Sequence, residues 1–137
     1  MTPDEARAAI EAAFITPFSA AHPEADVFID GLSEPDLQNQ VRPFSFLRVG
    51  MPKVEQSGLS GVNPPRRYYG EVSVGLFVRQ GKGTRPFYLM AATVENLLII
   101  QTISSIVTQG MAVRDRTPAI GWQARELVIQ YYFDKLT

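Results

Sequence analysis

The sequence predicts an α+β fold in which helices pack on one face of a mostly antiparallel sheet. Three observations predict it: an alanine-rich helical segment begins at Pro3, several strand-length runs alternate apolar with polar residues, and a long apolar helical segment follows Thr84. The elements therefore come in the order helix, strands, long helix, strands. A chain of 137 residues can bury one core, so we expect residues 1–137 to form a single domain.

The first helix carries a start signal and a stop signal. Thr2 is placed to cap it, Pro3 occupies its first position, and the two acidic residues that follow lie near the positive end of the helix. We expect this helix to end near Thr16, because Pro17 disfavours helical backbone in the residue before it.

The second helix is predicted over residues 85–106, with Thr84 as its N-cap. Its apolar residues spread around more of the surface than one core-facing stripe requires. In a chain of this size, the surplus indicates that one face packs on the core and another on a partner subunit. Ile99 and Ile103 are the residues predicted to lie in that second interface.

The remaining elements are strands joined by turns. Strands are predicted over residues 26–30, 44–56 with an interruption at Pro52, 66–80, 111–114 and 123–133. The run RRYYGEVSVGLFVRQ, residues 66–80, has the clearest alternation. Residues 57–65, SGLSGVNPP, are interpreted as a long hairpin loop.

The segment QGKG, residues 80–83, raises the question of a nucleotide site. A phosphate-binding loop needs Gly-Lys followed directly by Ser or Thr, whereas here Gly83 separates Lys82 from Thr84 and the upstream glycine is absent. A dinucleotide fingerprint also fails, because Pro86 stands where the third glycine belongs. We predict a strand-to-helix turn whose glycines supply positive φ angles.

Composition excludes several functional classes. Thirteen basic and fourteen acidic residues leave a net charge of −1, which argues against a dedicated duplex-binding protein. The chain has no cysteine, so disulfides and thiolate metal sites are excluded. Its one histidine, His22, lies in AAHPE and is predicted to be a loop residue without a catalytic role. We expect no catalytic residue, cofactor or metal, and a soluble intracellular protein without signal peptide or membrane span.

The segment RRYY at residues 66–69 combines charge with aromatic surface. Such a cluster can bind single-stranded nucleic acid by charge and stacking, but it is more typical of a strand end or a protein interface. We favour the interface. The complete set of interface candidates is Lys53, Arg66, Arg67, Tyr68, Tyr69, Lys82, Arg85, Ile99 and Ile103.

The order of these parts resembles the tail terminator family of long-tailed bacteriophages. The resemblance runs from the N-terminal helix through EPDLQNQVRPF, FSFLRVGMP and GEVSVGLFVRQGKGTRP to the final ELVIQYYF strand. It implies a homo-oligomeric ring, expected to hold six copies, that binds the last ring of tail-tube subunits and stops polymerisation. It also implies contact with the head-tail connector or stopper protein, DNA that passes through the ring lumen, assembly in the host cytoplasm, and a place in the virion away from membranes. No catalytic motif is carried over.

Two alternatives stay open. A head-to-tail connector or stopper protein would also be small, ring-forming and non-enzymatic. A monomeric nucleic-acid or small-ligand binding domain would instead use RRYY and Lys82. Within the first interpretation, the connection over residues 54–67 is the predicted surface that stops the tail, because its prolines hold it away from the core.

Overall fold

A computed structural model describes residues 1–56, 66–116 and 119–135, which form two helices and a six-stranded sheet. The elements in chain order are α1 (Pro3–Ala21), β1 (Asp26–Ile29), β2 (Phe44–Val49), β3 (Lys53–Gln56), β4 (Arg66–Arg79), α2 (Arg85–Glu95), β5 (Val107–Asp115) and β6 (Trp122–Lys135). A π-helical turn, Asn96–Ile100, continues α2. The predicted α+β class is confirmed.

The sheet has the strand order β1-β2-β4-β6-β5, and β3 pairs with the other half of β4 beyond the end of β2. The pairing of β1 with β2 is parallel, and the remaining pairs are antiparallel. Strands β4 and β6 pair along their whole lengths and form the centre of the sheet. Strand β5 is therefore one edge of the sheet.

The main core lies between one face of the sheet and both helices. Helix α1 contributes the four buried residues Ala6, Ile10, Phe14 and Phe18, which follow one another at the four-residue spacing of a helix face. They pack with alternate residues of the central strands, Val72, Val74, Leu76 and Val78 of β4 and Leu127, Ile129, Tyr131 and Phe133 of β6. The alternation predicted for β4 is thus confirmed, because it is a local property of the sequence.

A smaller cluster lies on the opposite face, which neither helix covers. The ring of Phe44 stacks on Phe77, with 4.5 Å between centroids, and meets Trp122 edge-on at 5.1 Å. The Arg79 guanidinium lies 4.4 Å from the centre of the Trp122 ring. We call this side of the sheet the helix-free face.

Helix α1 continues past the residue at which it was predicted to end. Pro17 lies inside the helix, which runs to Ala21 instead of ending near Thr16. Proline removes one backbone hydrogen bond, but Phe18 is fully buried, its ring stacks on Phe14 at 4.9 Å, and its carbonyl accepts from the His22 N–H at 2.8 Å. The burial of Phe18 offsets the cost of Pro17, a tertiary effect that local propensity does not contain.

Helix α2 ends earlier than predicted. The helical segment stops at Ile100, and residues 101–106 form a turn in which Ile103 bridges to Ile106 and Ser104 has a φ of 48°. The prediction of a helix to residue 106 is wrong because Ile103 and Ile106 both reach the core from this turn. The apolar surplus of the segment is therefore largely absorbed by the chain's own core.

The turns and strand ends agree with the sequence at other points. Gly81 and Gly83 have φ angles of 90° and 75°, as predicted for the strand-to-helix turn. Strands β2 and β3 are separated around Pro52, also as predicted. Strands β5 and β6 are longer than the predicted runs. The predicted hairpin loop over residues 57–65 lies outside the described residues.

Candidate protein-interaction surfaces

The first candidate surface is the end of the sheet where β3 and β6 flank the start of β4. Lys53 pairs with Tyr69 across β3 and β4, and Tyr132 pairs with Tyr69 from the other side. Because neighbouring residues of a strand point to opposite faces, the RRYY segment is divided. Arg67 and Tyr69 lie on the helix-free face, whereas Tyr68 packs against the core and stacks on Phe133 at 5.0 Å.

Arg67 is held in a fixed position on this surface. Its Nε and Nη2 donate to the two carboxylate oxygens of Asp134 at 2.7 and 3.0 Å, and its guanidinium centre lies 4.3 Å from the Tyr132 ring centroid. These hydrogen bonds raise the pKa of Arg67 and lower the pKa of Asp134. A guanidinium with both a carboxylate and a ring as partners is less available to a nucleic acid, which favours the interface interpretation of RRYY.

Arg66 and Lys53 are the exposed cations of the same surface, and Val54 is an exposed apolar neighbour. Together with Tyr69 they mark this end of the sheet, with Lys53 and Tyr69 on the helix-free face and Arg66 and Val54 on the face of Tyr68. We call it the strand-end surface. Arginine and tyrosine are enriched at the centres of protein interfaces, so this composition suits a protein partner.

The second candidate surface is a pocket of about 390 Å³ between the start of α2, the end of β4 and the segment before β2. Its lining residues are His22, Glu24, Val41, Pro43, Val78, Arg79, Lys82, Arg85, Pro86, Leu89 and Met90. Lys82 and Arg85, two of the predicted interface residues, are therefore brought together here. We call this feature the basic pocket.

The walls of the basic pocket are apolar and its rim is charged. Val41 and Leu89 are 76% and 51% exposed, unusual for large apolar side chains that line one concave site. Arg79 is engaged by the Gln40 carbonyl and the Trp122 ring. Lys82 and Arg85 make no ion pair with any described residue. The pocket therefore offers two cations beside an apolar surface, with the Glu24 carboxylate also in its lining.

His22 joins the end of α1 to α2 beside this pocket. Its Nε2 lies 2.7 Å from the Thr93 hydroxyl, its Nδ1 lies 3.3 Å from a Glu24 carboxylate oxygen, and its ring packs on Phe18. These contacts give the buried imidazole a structural explanation. The sequence placed His22 in a loop, and the structure places it at the C-cap of α1.

The exposed apolar face of α2 differs from the face that the sequence predicted to meet a partner subunit. Ile103 is 5% exposed and belongs to the core, and Ile99 is half-buried against it. The large apolar residues that α2 and its π-helical turn leave exposed are Tyr88, Leu89 and Ile100. The predicted spread of apolar residues around this helix includes Leu89 and Ile100, but it does not separate them from Ile99 and Ile103, because the burial of Ile103 depends on where the helix ends.

The open edge of β5 is a third surface, and the sequence did not predict it. Residues Val107 and Val113 are exposed there, and a β-bulge between Thr108 and Met111 includes Gly110 at a φ of 110°. An unpaired strand edge presents backbone donors and acceptors that another chain can pair with. The bulge limits regular pairing to the segments on either side of it.

The described part of the chain contains no cluster of three or more histidine or acidic side chains that could hold a metal ion. Over the same residues, no helix has the length and apolar character needed to cross a lipid bilayer.

Comparisons with known proteins support the fold and identify no family. No family model matches the sequence, and no curated protein matches it significantly. A solved structure of a protein that carries only a sequence identifier as its name is similar to this chain, with a TM-score of 0.68 and 15% sequence identity. The similarity covers 97% of this chain and 96% of that one. At this identity, the likeness concerns the fold alone.

Proposed function

We propose that this protein is a structural component of a long-tailed phage, a ring that caps the tail tube, stops its polymerisation and joins the tail to the head connector. The fold contains a helix, strands, a second helix and further strands in that order, and this order is one of the features on which the resemblance to tail terminators rests. A terminator acts by binding and needs no reaction chemistry.

The observation that carries the proposal is that one small domain presents three separate candidate contact surfaces. The strand-end surface lies at the start of β4, the basic pocket lies at the other end of β4 beside the start of α2, and the third surface is the edge of β5. A cap within a ring has three kinds of neighbour, which are adjacent copies of itself, the last ring of tube subunits and the connector. A monomeric enzyme or ligand-binding domain needs only one such site.

Deletion of the coding sequence from the phage genome tests this function. We expect overlong tails or heads without tails in electron micrographs, because nothing then stops the tube or joins it to the head. Supplying the protein from a plasmid should restore particles of normal length. Tails of normal length that fail to join heads would instead identify a connector or stopper protein, and unaltered particles would contradict both assignments.

The basic pocket favours one second candidate, a monomeric domain that binds a small anionic ligand with an apolar portion. Its volume of about 390 Å³ lies within the range of small-molecule sites, and Lys82 and Arg85 supply positive charge. Native mass spectrometry separates the candidates. A monomer that carries a bound small molecule supports the ligand-binding domain, and a ligand-free oligomer supports the tail cap.

A further inference from the structure

The connection between β1 and β2 begins with a tip whose chemistry complements the basic pocket. Leu32 is 75% exposed, and Glu34, two residues later, is exposed and makes no ion pair with any described residue. An apolar side chain next to a carboxylate is what a pocket with apolar walls and a cationic rim can accept. We call residues 32–34 the acidic tip.

The acidic tip is held in place before any partner binds. The backbone N–H groups of Leu32 and Ser33 both donate to the Ile29 carbonyl at 3.0 Å, and the Ser33 hydroxyl accepts from the Ile29 N–H at 3.1 Å. Gly31 supplies the positive φ of 82° that this turn requires. A preformed tip loses less conformational entropy on binding than a flexible loop does.

Leu32 and the pocket lie at opposite ends of β1, whereas Glu34 turns back over the helix-free face and lines a separate cavity with Phe44, Phe46 and Arg116. At the start of this strand, the Asp26 N–H donates to the carbonyl of Pro43, a residue that lines the pocket. At its far end, the Asp30 N–H donates to the Leu47 carbonyl, and the tip follows directly. Four strand residues rise about 13 Å, so Leu32 is too far from the pocket of its own chain to fill it.

We propose that the acidic tip of one copy inserts into the basic pocket of the next copy and that this contact builds the ring. The occupant of the pocket is thus a second copy of this chain, with Leu32 against Val41 and Leu89 and with Glu34 near Lys82 and Arg85. Because two different surfaces meet, the contact is heterologous and repeats head to tail, which closes into a ring when the rotation between copies allows it. This inference rests on the proposed function, which requires a ring.

Charge exchange between the two surfaces tests the contact. The variants are Glu34→Lys, the double variant Lys82→Glu/Arg85→Glu, and all three changes together, measured by light scattering after size exclusion over a range of concentrations. We expect the first two to weaken self-association about tenfold or more and the combination to recover a substantial part of the loss, because opposite charges again face each other. Leu32→Ala should weaken association by a similar factor, since it removes the buried apolar anchor.

Glu95→Lys is the matched control, since Glu95 is an exposed residue of α2 outside both surfaces, and it should leave association unchanged. Circular dichroism melts confirm that each variant is folded. Assembly that survives both charge reversals would overturn the inference while leaving a ring-forming cap intact. Loss of assembly in the pocket variant but not in Glu34→Lys would show that another acidic group fills the pocket. A wild-type protein that is monomeric at every concentration would contradict the inference and the proposed function together.

Discussion

At the scale of single residues, the closest packing in the sheet is between Gly70 of β4 and Tyr131 of β6. A Cβ atom placed on Gly70 would lie 2.4 Å from the Cζ and hydroxyl oxygen of Tyr131, a distance at which one of the two must move. The ring cannot move freely, because its hydroxyl donates to the Gly50 carbonyl at 3.2 Å and the residue is 1% exposed. Only glycine fits at this point of the strand.

We expect Gly70→Ala to lower the free energy of unfolding by about 2 kcal/mol, the usual cost of overpacking a core. Urea denaturation followed by tryptophan fluorescence measures it. In a Tyr131→Ala background the same substitution should cost much less, since the ring it meets is gone. Equal costs in the two backgrounds would show that the loss comes from something other than this contact.

The hydroxyl of Tyr131 also predicts a pH dependence. Burial raises the pKa of Tyr131 above the ordinary value of 10.0. Above pH 10 the folded state therefore holds this proton more tightly than the unfolded state, and stability falls as the pH rises toward the folded-state pKa. We expect the wild-type protein to lose more stability between pH 9 and 11 than Tyr131→Phe does. Identical pH profiles in urea denaturation would contradict the buried position of this hydroxyl.

At the scale of elements, the end of α2 decides which apolar residues serve the core. Ile103 belongs to the turn after the helix and is buried, whereas Ile100 is 67% exposed at the end of the π-helical turn. The sequence predicted that Ile103 lies in a subunit interface. A charged side chain at such a position would leave the fold of an isolated copy intact. The structure instead predicts that a charge at residue 103 damages the fold itself.

We therefore expect Ile103→Asp to destabilise the protein by about 3 kcal/mol or more, because it buries a carboxylate without a partner. Ile100→Asp is the matched control, and it should change the free energy of unfolding by less than about 0.5 kcal/mol. Thermal denaturation of both variants gives the comparison. Equal melting temperatures would show that residue 103 does not lie in the core.

The elements that sequence alone predicted well are those governed by local rules. The alternating faces of β4, the glycine turn after it and the start of α1 at Pro3 each follow from the chemistry of a few consecutive residues. The wrong predictions, the stop before Pro17 and the continuation of α2 to residue 106, concern ends that tertiary burial sets. Phe18 and Ile103 find the core through partners distant in the chain, which periodicity cannot show.

The residues of the candidate site also divide into those that the local sequence places together and those that the fold brings together. Lys82 and Arg85 are three residues apart in the chain, so their proximity follows from the sequence. Their apolar partner Val41 comes from more than forty residues upstream and is brought to them by the fold. The ion pair between Arg67 and Asp134 joins residues 67 positions apart in the chain. It gives a fixed partner to an arginine that the sequence shows only as part of a basic cluster. Such pairings are set by strand register, which the sequence did not specify.

At the scale of the whole molecule, the proposal is that separate surfaces of one domain serve different neighbours. In this proposal the acidic tip and the basic pocket link copies of the chain, and the strand-end surface and the edge of β5 are left for the tube and the connector. A cap of this kind must bind the growing end of a tube without repeating the contact that elongates it. A closed ring meets that requirement, because it leaves no free subunit contact of its own.

The mass of the purified protein in solution is the most direct measurement of this claim. Light scattering should give one discrete species that is a whole multiple of the 15.2 kDa chain, with six copies expected, and negative-stain images should show rings with a central opening. The ring should persist on dilution to concentrations well below those of the purification. A stable monomer at all concentrations, or open filaments that lengthen with concentration, would contradict a ring-forming cap.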